Sequence, residues 1–246
     1  MKAVILAAGK GSRLAPFTDI MPKPLMPIGL SEKGCFITII EKLIRQLNRA
    51  GINEIFIIVN YKAELIMKYL KEDGGVDGVK LSYLVQSELD GNAGAFYRAQ
   101  HLLGDESVLV TDCDNFIDDD EVFVKMCGQF DSDGVDLTVG VCPVDDVTKY
   151  AIIKTDEVGK PVDIYEKPSS SEGWGNLAKS GVMILSSELA SKDRNISITE
   201  KGEYTTTEIV RHCINGGGSI SLHPFDRGFT DIGTWNEYAE VLKANL

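Results

Sequence analysis

Histidine is scarce in this chain, with three in 246 residues. His101, His212 and His223 share no motif and two fall in helical patterns, so a hydrolase triad built on a histidine base has no support. Tryptophan is scarcer still, and Trp174 and Trp235 read as packing or lid residues rather than base-stacking platforms. The five cysteines, Cys35, Cys113, Cys127, Cys142 and Cys213, are odd in number and no pair has CxxC spacing. That argues against both a disulfide framework and a zinc site. No apolar run approaches the ~20 residues that span a bilayer, and Met1-Lys2 leads straight into a strand-like segment without a secretory leader. The expectation is a cytoplasmic protein with no membrane partner. Positive charge is also in deficit. A formal net charge of −12 disfavours a nucleic-acid partner, which rewards clustered Lys and Arg. A small anionic ligand then needs its cations gathered locally, and the opening segment offers Lys10, Arg13 and Lys23.

What is present is an alternation of apolar runs and helical patterns. AVILAA (3–8) is a continuous apolar run stopped by glycine, which suits a buried parallel strand. FITIIEKLIRQLNRAG (36–51) has helical spacing at Ile37, Ile40, Leu43, Ile44 and Leu47, with Gly51 as its stop. EIFIIVN (54–60), KLSYLVQ (80–86) and SVLVTDCD (107–114) read as strands, and AELIMKYLKED (63–73) and AGAFYRAQHLL (93–103) as helices. Asp118, Asp119 and Asp120 read as a solvated helix start. From residue 136 the chain turns β-rich, with DLTVGVCPV (136–144), YAIIKTD (150–156), PVDIYEK (161–167) and LAKSGVMILS (177–186). These predict antiparallel strands that extend the sheet and cover a crevice. TTTEIVRHCINGG (205–217) predicts a helix, SISLHPF (219–225) a strand, and GTWNEYAEVLKANL (233–246) a closing helix. The expected fold is α/β: a three-layer, Rossmann-like arrangement whose mostly parallel mixed sheet is flanked by helices, with a β-rich second lobe. No linker is evident, so 1–246 reads as one domain with parts at 1–130 and 131–246. Ligands in such sheets bind beyond the carboxyl ends of the strands. The glycine turn after AVILAA and the acids after SVLVT both lie at such ends.

GKGSRL (9–14) is neither a P-loop nor a dinucleotide fingerprint, because lysine does not follow the second glycine and Leu14 stands where a third glycine belongs. Gly9 and Gly11 let backbone N–H groups approach phosphate oxygens. Arg13 supplies a fork of donors suited to a terminal phosphate, and Lys23, braced by Pro22 and Pro24, a point charge.

The stretch LAAGKGSRLAPFTDIMPKPL resembles the signature loop of the sugar-1-phosphate nucleotidyltransferases, with Gly9, Gly11, Ser12, Arg13, Leu14, Pro16, Thr18, Pro22, Lys23 and Leu25 in place. The resemblance implies a Mg²⁺-dependent transfer of a nucleoside monophosphate from a nucleoside triphosphate to a sugar 1-phosphate, releasing pyrophosphate. It implies that Leu6, Ala8, Gly9, Gly11 and Ser12 bind the nucleotide and that Arg13 and Lys23 are catalytic. QSELDGNAGA (86–95) is similar to the base-recognition stretch of uridylyl- and thymidylyl-transferring members. Gln86 and Gly91 would then meet a pyrimidine edge, which favours UTP or dTTP. YEKP (165–168) resembles an E-E-K-P element, giving Glu166 the sugar hydroxyls and Lys167 the sugar phosphate. NLAKSGVMIL (176–185) resembles an N-x-A-x-[ST]-G-x-Y strand, placing Gly181 under the sugar ring. In VTDCDNF (110–116) Asp114 takes the metal-ligand position, Cys113 replaces a glycine, and Asp112 shares the ion through water or replaces Asp114. GFTDIGTWNEY (228–238) gives Asp231 as the second carboxylate on Mg²⁺. Met183 replaces the usual aromatic and Ala151 a common glycine, so sugar identity does not carry over. A homo-oligomer is compatible with this reading. Two alternatives stay open. One is a cytidylyltransferase acting on a non-sugar phosphate such as phosphocholine, suggested by DCDN (112–115). The other is a non-catalytic regulatory subunit that binds nucleotide-sugar.

Overall fold

The structure is a computed structural model, and it describes all residues except 32, 73, 193–195, 200–201, 226–228 and 246. Asp73, Gly228 and Leu246, at the ends of predicted segments, therefore lie outside the described residues. The first part of the chain runs β1 (Lys2–Ala7), α1 (Phe17–Ile20), β2 (Pro27–Leu30), β3 (Phe36–Thr38), α2 (Ile39–Arg49), β4 (Glu54–Val59), α3 (Ala63–Glu72), β5 (Lys80–Val85), α4 (Asn92–Leu103), β6 (Val108–Asp112), β7 (Asn115–Ile117) and α5 (Val122–Asp133). The second part runs β8 (Leu137–Pro143), β9 (Ala151–Thr155), β10 (Pro161–Glu166), β11 (Leu177–Leu185), α6 (Ser187–Ser191), α7 (Thr206–Asn215), β12 (Ile220–Pro224), β13 (Phe229–Asp231) and α8 (Trp235–Asn245).

The main sheet has the order β10-β9-β11-β6-β1-β4-β5, with β8 also beside β11 and β12 beside β8. Strands β6, β1, β4 and β5 are parallel, while β11 runs antiparallel to β6, β8 and β9. The fold class is the expected one. In β1, Ala3, Ile5 and Ala7 face one core with residues of α2, α3, α5 and α8, and Val4 and Leu6 face the other with α4 and α7. This two-sided burial explains why the run is continuously apolar rather than alternating.

One expectation changes. The helix predicted from residue 36 begins at Ile39. Residues 36–38 pair with β2 instead, and Thr38 caps the helix by accepting from the Glu41 amide at 3.3 Å. Apolar Phe36 and Ile37 extend the helical pattern in sequence, but a β-region N-cap residue cannot belong to the helix. Strand β12, expected simply as a strand, follows α7 and runs parallel to β8. The two short ribbons, β2–β3 and β7–β13, are additions that the sequence did not announce.

Candidate active site

Parallel strands end on the same side of a sheet, and here β1, β6 and β5 deliver their first loop residues to one edge. Leu6 is in register with Asp112, and the Cys113 amide donates to the Leu6 carbonyl at 3.0 Å. The Gln86 amide donates to the Val59 carbonyl at 3.0 Å. The cleft above these ends has a volume of about 640 Å³. Every site residue named from the sequence lines it: Leu6, Ala8, Gly9, Gly11, Ser12 and Arg13 from the first loop, then Lys23, Gln86 and Gly91, then Asp112, Asp114, Glu166, Lys167, Gly181 and Asp231. Lys10 does not; its ammonium lies over the Tyr61 ring, 5.7 Å from the centroid.

Gly11 has φ +66°, and a Cβ there would lie 3.2 Å from Lys23 Cβ and 3.3 Å from Thr18 Cγ2. The turn therefore needs glycine for both conformation and space. Around Gly9 a Cβ would meet nothing within 4 Å, so the loop is open on the ligand side. Thr18 Oγ1 donates to the Gly11 carbonyl at 3.0 Å and Trp235 Nε1 to the Ala15 carbonyl at 3.3 Å, which ties the loop to α8. Arg13 reaches Gly233: a Cβ on that glycine would come within 2.9 Å of Arg13 Nη2. Lys23 is buried and its Nζ lies 2.7 Å from Asp114 Oδ2.

Pairing of β13 with β7 brings the distant acids together. Asp231 is in register with Asn115, and the Ile232 amide donates to the Asp114 carbonyl at 3.0 Å. Asp231 Oδ1 is buried with no hydrogen-bond partner. An orphaned carboxylate oxygen beside a second carboxylate suits a hard dication that keeps room for phosphate oxygens. Among the described residues no group of three or more His, Cys, Asp or Glu is placed to hold a metal ion on its own. Asp112 packs against Gly181. Its Oδ2 would lie 2.4 Å from a Cβ at Gly181, and Asn115 Nδ2 would lie 2.1 Å from it. The space that forbids a side chain at 181 is thus filled by protein atoms. Gly181→Ala is expected to destabilise by about 1–3 kcal/mol through overpacking, at roughly 2–4 °C per kcal/mol in thermal unfolding. An unchanged melting temperature would contradict that crowding.

Burial, reinforced by the charge of Asp114, pushes the Asp112 carboxyl up to about 7 and that of Asp231 up to about 6. The ordinary value is 3.8, so between these limits the folded protein binds protons that the unfolded chain releases. Stability then falls as pH rises through that window and levels off above it. In calorimetry the metal-free protein is expected to melt lower at about pH 8 than at about pH 5, with a shallower slope in Asp112→Asn. A melting temperature that climbs over the same interval would reverse the sign.

At the base end, Gln86 Nε2 donates to Asp90 Oδ1 at 2.8 Å and to the Gly91 carbonyl at 2.9 Å. Asp90 is itself held by Arg98 at 3.0 Å. Both amide hydrogens of Gln86 are thereby engaged, so of its side chain only the Oε1 acceptor remains for a ligand. Gly91 has φ +98°, and a Cβ would clash with the Tyr204 carbonyl at 2.1 Å. At the other end, Glu166 Oε2 accepts from Thr207 Oγ1 at 2.9 Å, and Lys167 adopts φ +52°. Lys179 lines the same wall and the sequence reading passed over it. A lysine between small residues in an otherwise uncharged strand, LAKSGVMIL, is the signal that marks it.

The pattern of the nucleotidyl transferase family matches residues 2–246. The low-salt glycan biosynthesis nucleotidyltransferase Agl11 of Haloferax volcanii is 28% identical over 245 residues, covering 100% of this chain and 65% of the relative. The UTP–glucose-1-phosphate uridylyltransferase of a Synechocystis species is 32% identical over 270 residues, covering 100% of this chain and 63% of the relative. The chain thus spans somewhat less than two thirds of the length of these relatives. A Bacillus anthracis structure described as a glucose-1-phosphate thymidylyltransferase superposes with TM-score 0.86 at 25% identity, covering 99% of this chain and 94% of that one.

Proposed function

The chain belongs to the nucleotidyl transferase family, and from that premise we propose that it transfers a nucleoside monophosphate from a nucleoside triphosphate to a sugar 1-phosphate. The observation that carries this reading is the meeting of Arg13, Lys23, Asp114 and Asp231 in one cleft. A phosphate monoester is already nucleophilic at neutral pH, so the protein's task is alignment and charge neutralisation. Backbone amides around Gly9 and Gly11 cradle the triphosphate, and Arg13 holds the departing pyrophosphate through its fork of donors. Lys23 leaves Asp114 to meet the charge that develops at the α-phosphorus. Lys167 seats the attacking phosphate and Glu166 the sugar hydroxyls. Asp114 and Asp231 would hold Mg²⁺, which supplies Lewis-acid stabilisation of phosphate charge when bound. Residues 1–130 serve the nucleotide and 131–246 the sugar phosphate.

UTP and dTTP are the favoured donors. Gln86 Oε1 accepts an N–H, which uracil and thymine offer at N3. The relatives named for uridylyl and thymidylyl transfer support that choice. The test is pyrophosphate release with Mg²⁺ across UTP, dTTP, CTP and GTP against hexose 1-phosphates and phosphocholine. Turnover confined to CTP and phosphocholine would replace this reading with the non-sugar alternative. Nucleotide-sugar binding without pyrophosphate exchange would replace it with the regulatory one.

A further inference from the structure

Lys179 is a charge that the proposed mechanism leaves unused. It sits on β11, is 8% exposed, and lines the cleft. Its Nζ donates to the Ser180 carbonyl at 2.9 Å and to Thr206 Oγ1 at 3.0 Å. Both partners are neutral, and among the described residues Lys179 makes no ion pair. Burying an ammonium on neutral partners is costly, and a methionine of similar length fills such a space without that cost. A lysine has three N–H donors, and the two bonds leave one unengaged. Thr206 Oγ1 also accepts from Asn92 Nδ2 at 3.1 Å, so the threonine does not depend on the lysine for a partner.

The wall around the ammonium is polar. Thr205, Thr206 and Thr207, at the start of α7, line the same wall, and Thr207 holds Glu166 at 2.9 Å. Burial pulls the Lys179 ammonium down from its ordinary value, and the charges of Asp112 and Glu166 oppose that shift. A cationic donor therefore stands near a carboxylate whose Oε2 is held by Thr207 and whose Oε1 lies 3.9 Å from Lys167 Nζ, beyond hydrogen-bond distance and still able to accept from a hydroxyl. Together they match a sugar ring that presents one oxygen as acceptor and a neighbouring hydroxyl as donor.

We propose that Lys179 is a specificity-determining residue for the acceptor substrate, donating its third ammonium hydrogen to a ring-substituent oxygen of the sugar while Glu166 accepts from an adjacent hydroxyl. The substrate class is a sugar 1-phosphate with free neighbouring hydroxyls at that wall, and a deoxy analogue lacking the contacted oxygen is rejected. This rests on the sugar-1-phosphate reading given above.

The experiment compares wild type with Lys179→Met and Lys179→Gln, using whichever hexose 1-phosphate gives the highest turnover. Lys179→Met is expected to raise KM for the sugar 1-phosphate at least about tenfold, with KM for the triphosphate within about twofold. Its melting temperature is expected to hold or rise, because a buried charge is removed. Lys179→Gln, which keeps an N–H donor, is expected to fall between the two. Wild type is expected to discriminate against one monodeoxy analogue by about tenfold or more, and Lys179→Met to lose that discrimination. An unchanged sugar KM, or equal rises in both KM values in both variants, overturns the assignment while leaving the activity standing. A wild type that transfers to no sugar 1-phosphate overturns the activity, and this inference with it.

Discussion

Replacing Arg13 with alanine is expected to lower turnover at least about a hundredfold, equivalent to about 2.7 kcal/mol of transition-state stabilisation. The melting temperature should stay within a degree or two of wild type, as for an exposed side chain that anchors nothing. Among the described residues Arg13 makes no ion pair and no side-chain hydrogen bond; it packs against Gly233, and its charge acts on Asp231 only at longer range. Five donors held over a cleft without a partner contribute little to the fold, so their loss falls on the ligand. The pyrophosphate carries most of its new charge after the bond to the α-phosphorus begins to break. An arginine on it therefore acts more strongly in the transition state than in the ground state. The kinetic signature is a fall in kcat and kcat/KM by similar factors. Arg13→Lys keeps the charge but loses the fork, and should recover only part of the rate. Near-normal turnover in Arg13→Ala would remove Arg13 from the leaving-group role.

The layout of the sheet was readable because buried parallel strands leave a crude signal: AVILAA, EIFIIVN and SVLVT are apolar on both faces and cannot be mistaken for surface. The short ribbons were not readable. A three-residue segment such as Asn115–Ile117 or Phe229–Asp231 carries no period. Yet that pairing is what sets Asp231 beside Asp114. Spacing alone supplied the two acids as separate candidates, and resemblance joined them. Lys23 shows the same limit. Its prolines predicted a braced cation, but the 2.7 Å contact with Asp114 depends on a register between the first loop and β6 that no local pattern encodes. Gln86 was legible as a polar residue at a strand end; that Asp90 and Gly91 consume its donors was not. Lys179 is hidden in the same way: the apolar run from Val182 to Leu185 and the glycine at 181 dominate the pattern of its strand, and the charge among them carries no period of its own.

The acids set up the second large effect. Asp231→Asn is expected to lower turnover at least about a hundredfold, through loss of a charged oxygen ligand and of the field it adds to the site. The same variant is expected to be at least as stable as wild type without metal near neutral pH. Asp231 is buried beside Asp114, with one oxygen unbonded and its carboxyl pushed up to about 6, so the ionised form works against the folded state. Asparagine removes that charge at nearly constant volume. Added Mg²⁺ should raise the melting temperature of wild type and leave that of Asp231→Asn nearly unmoved, a readout that needs no turnover. Asp114→Asn is expected to match it in activity but not in stability. Lys23 is buried and would lose its carboxylate partner at 2.7 Å, leaving its ammonium with only the longer-range attraction of Asp231. Two isosteric substitutions in one acidic pair should therefore split: both inactive, one firmer and one weaker than wild type. If Asp231→Asn instead melted well below wild type in the absence of metal, its carboxylate would have to be a structural anchor, and the open-site reading of Asp114 and Asp231 would fail.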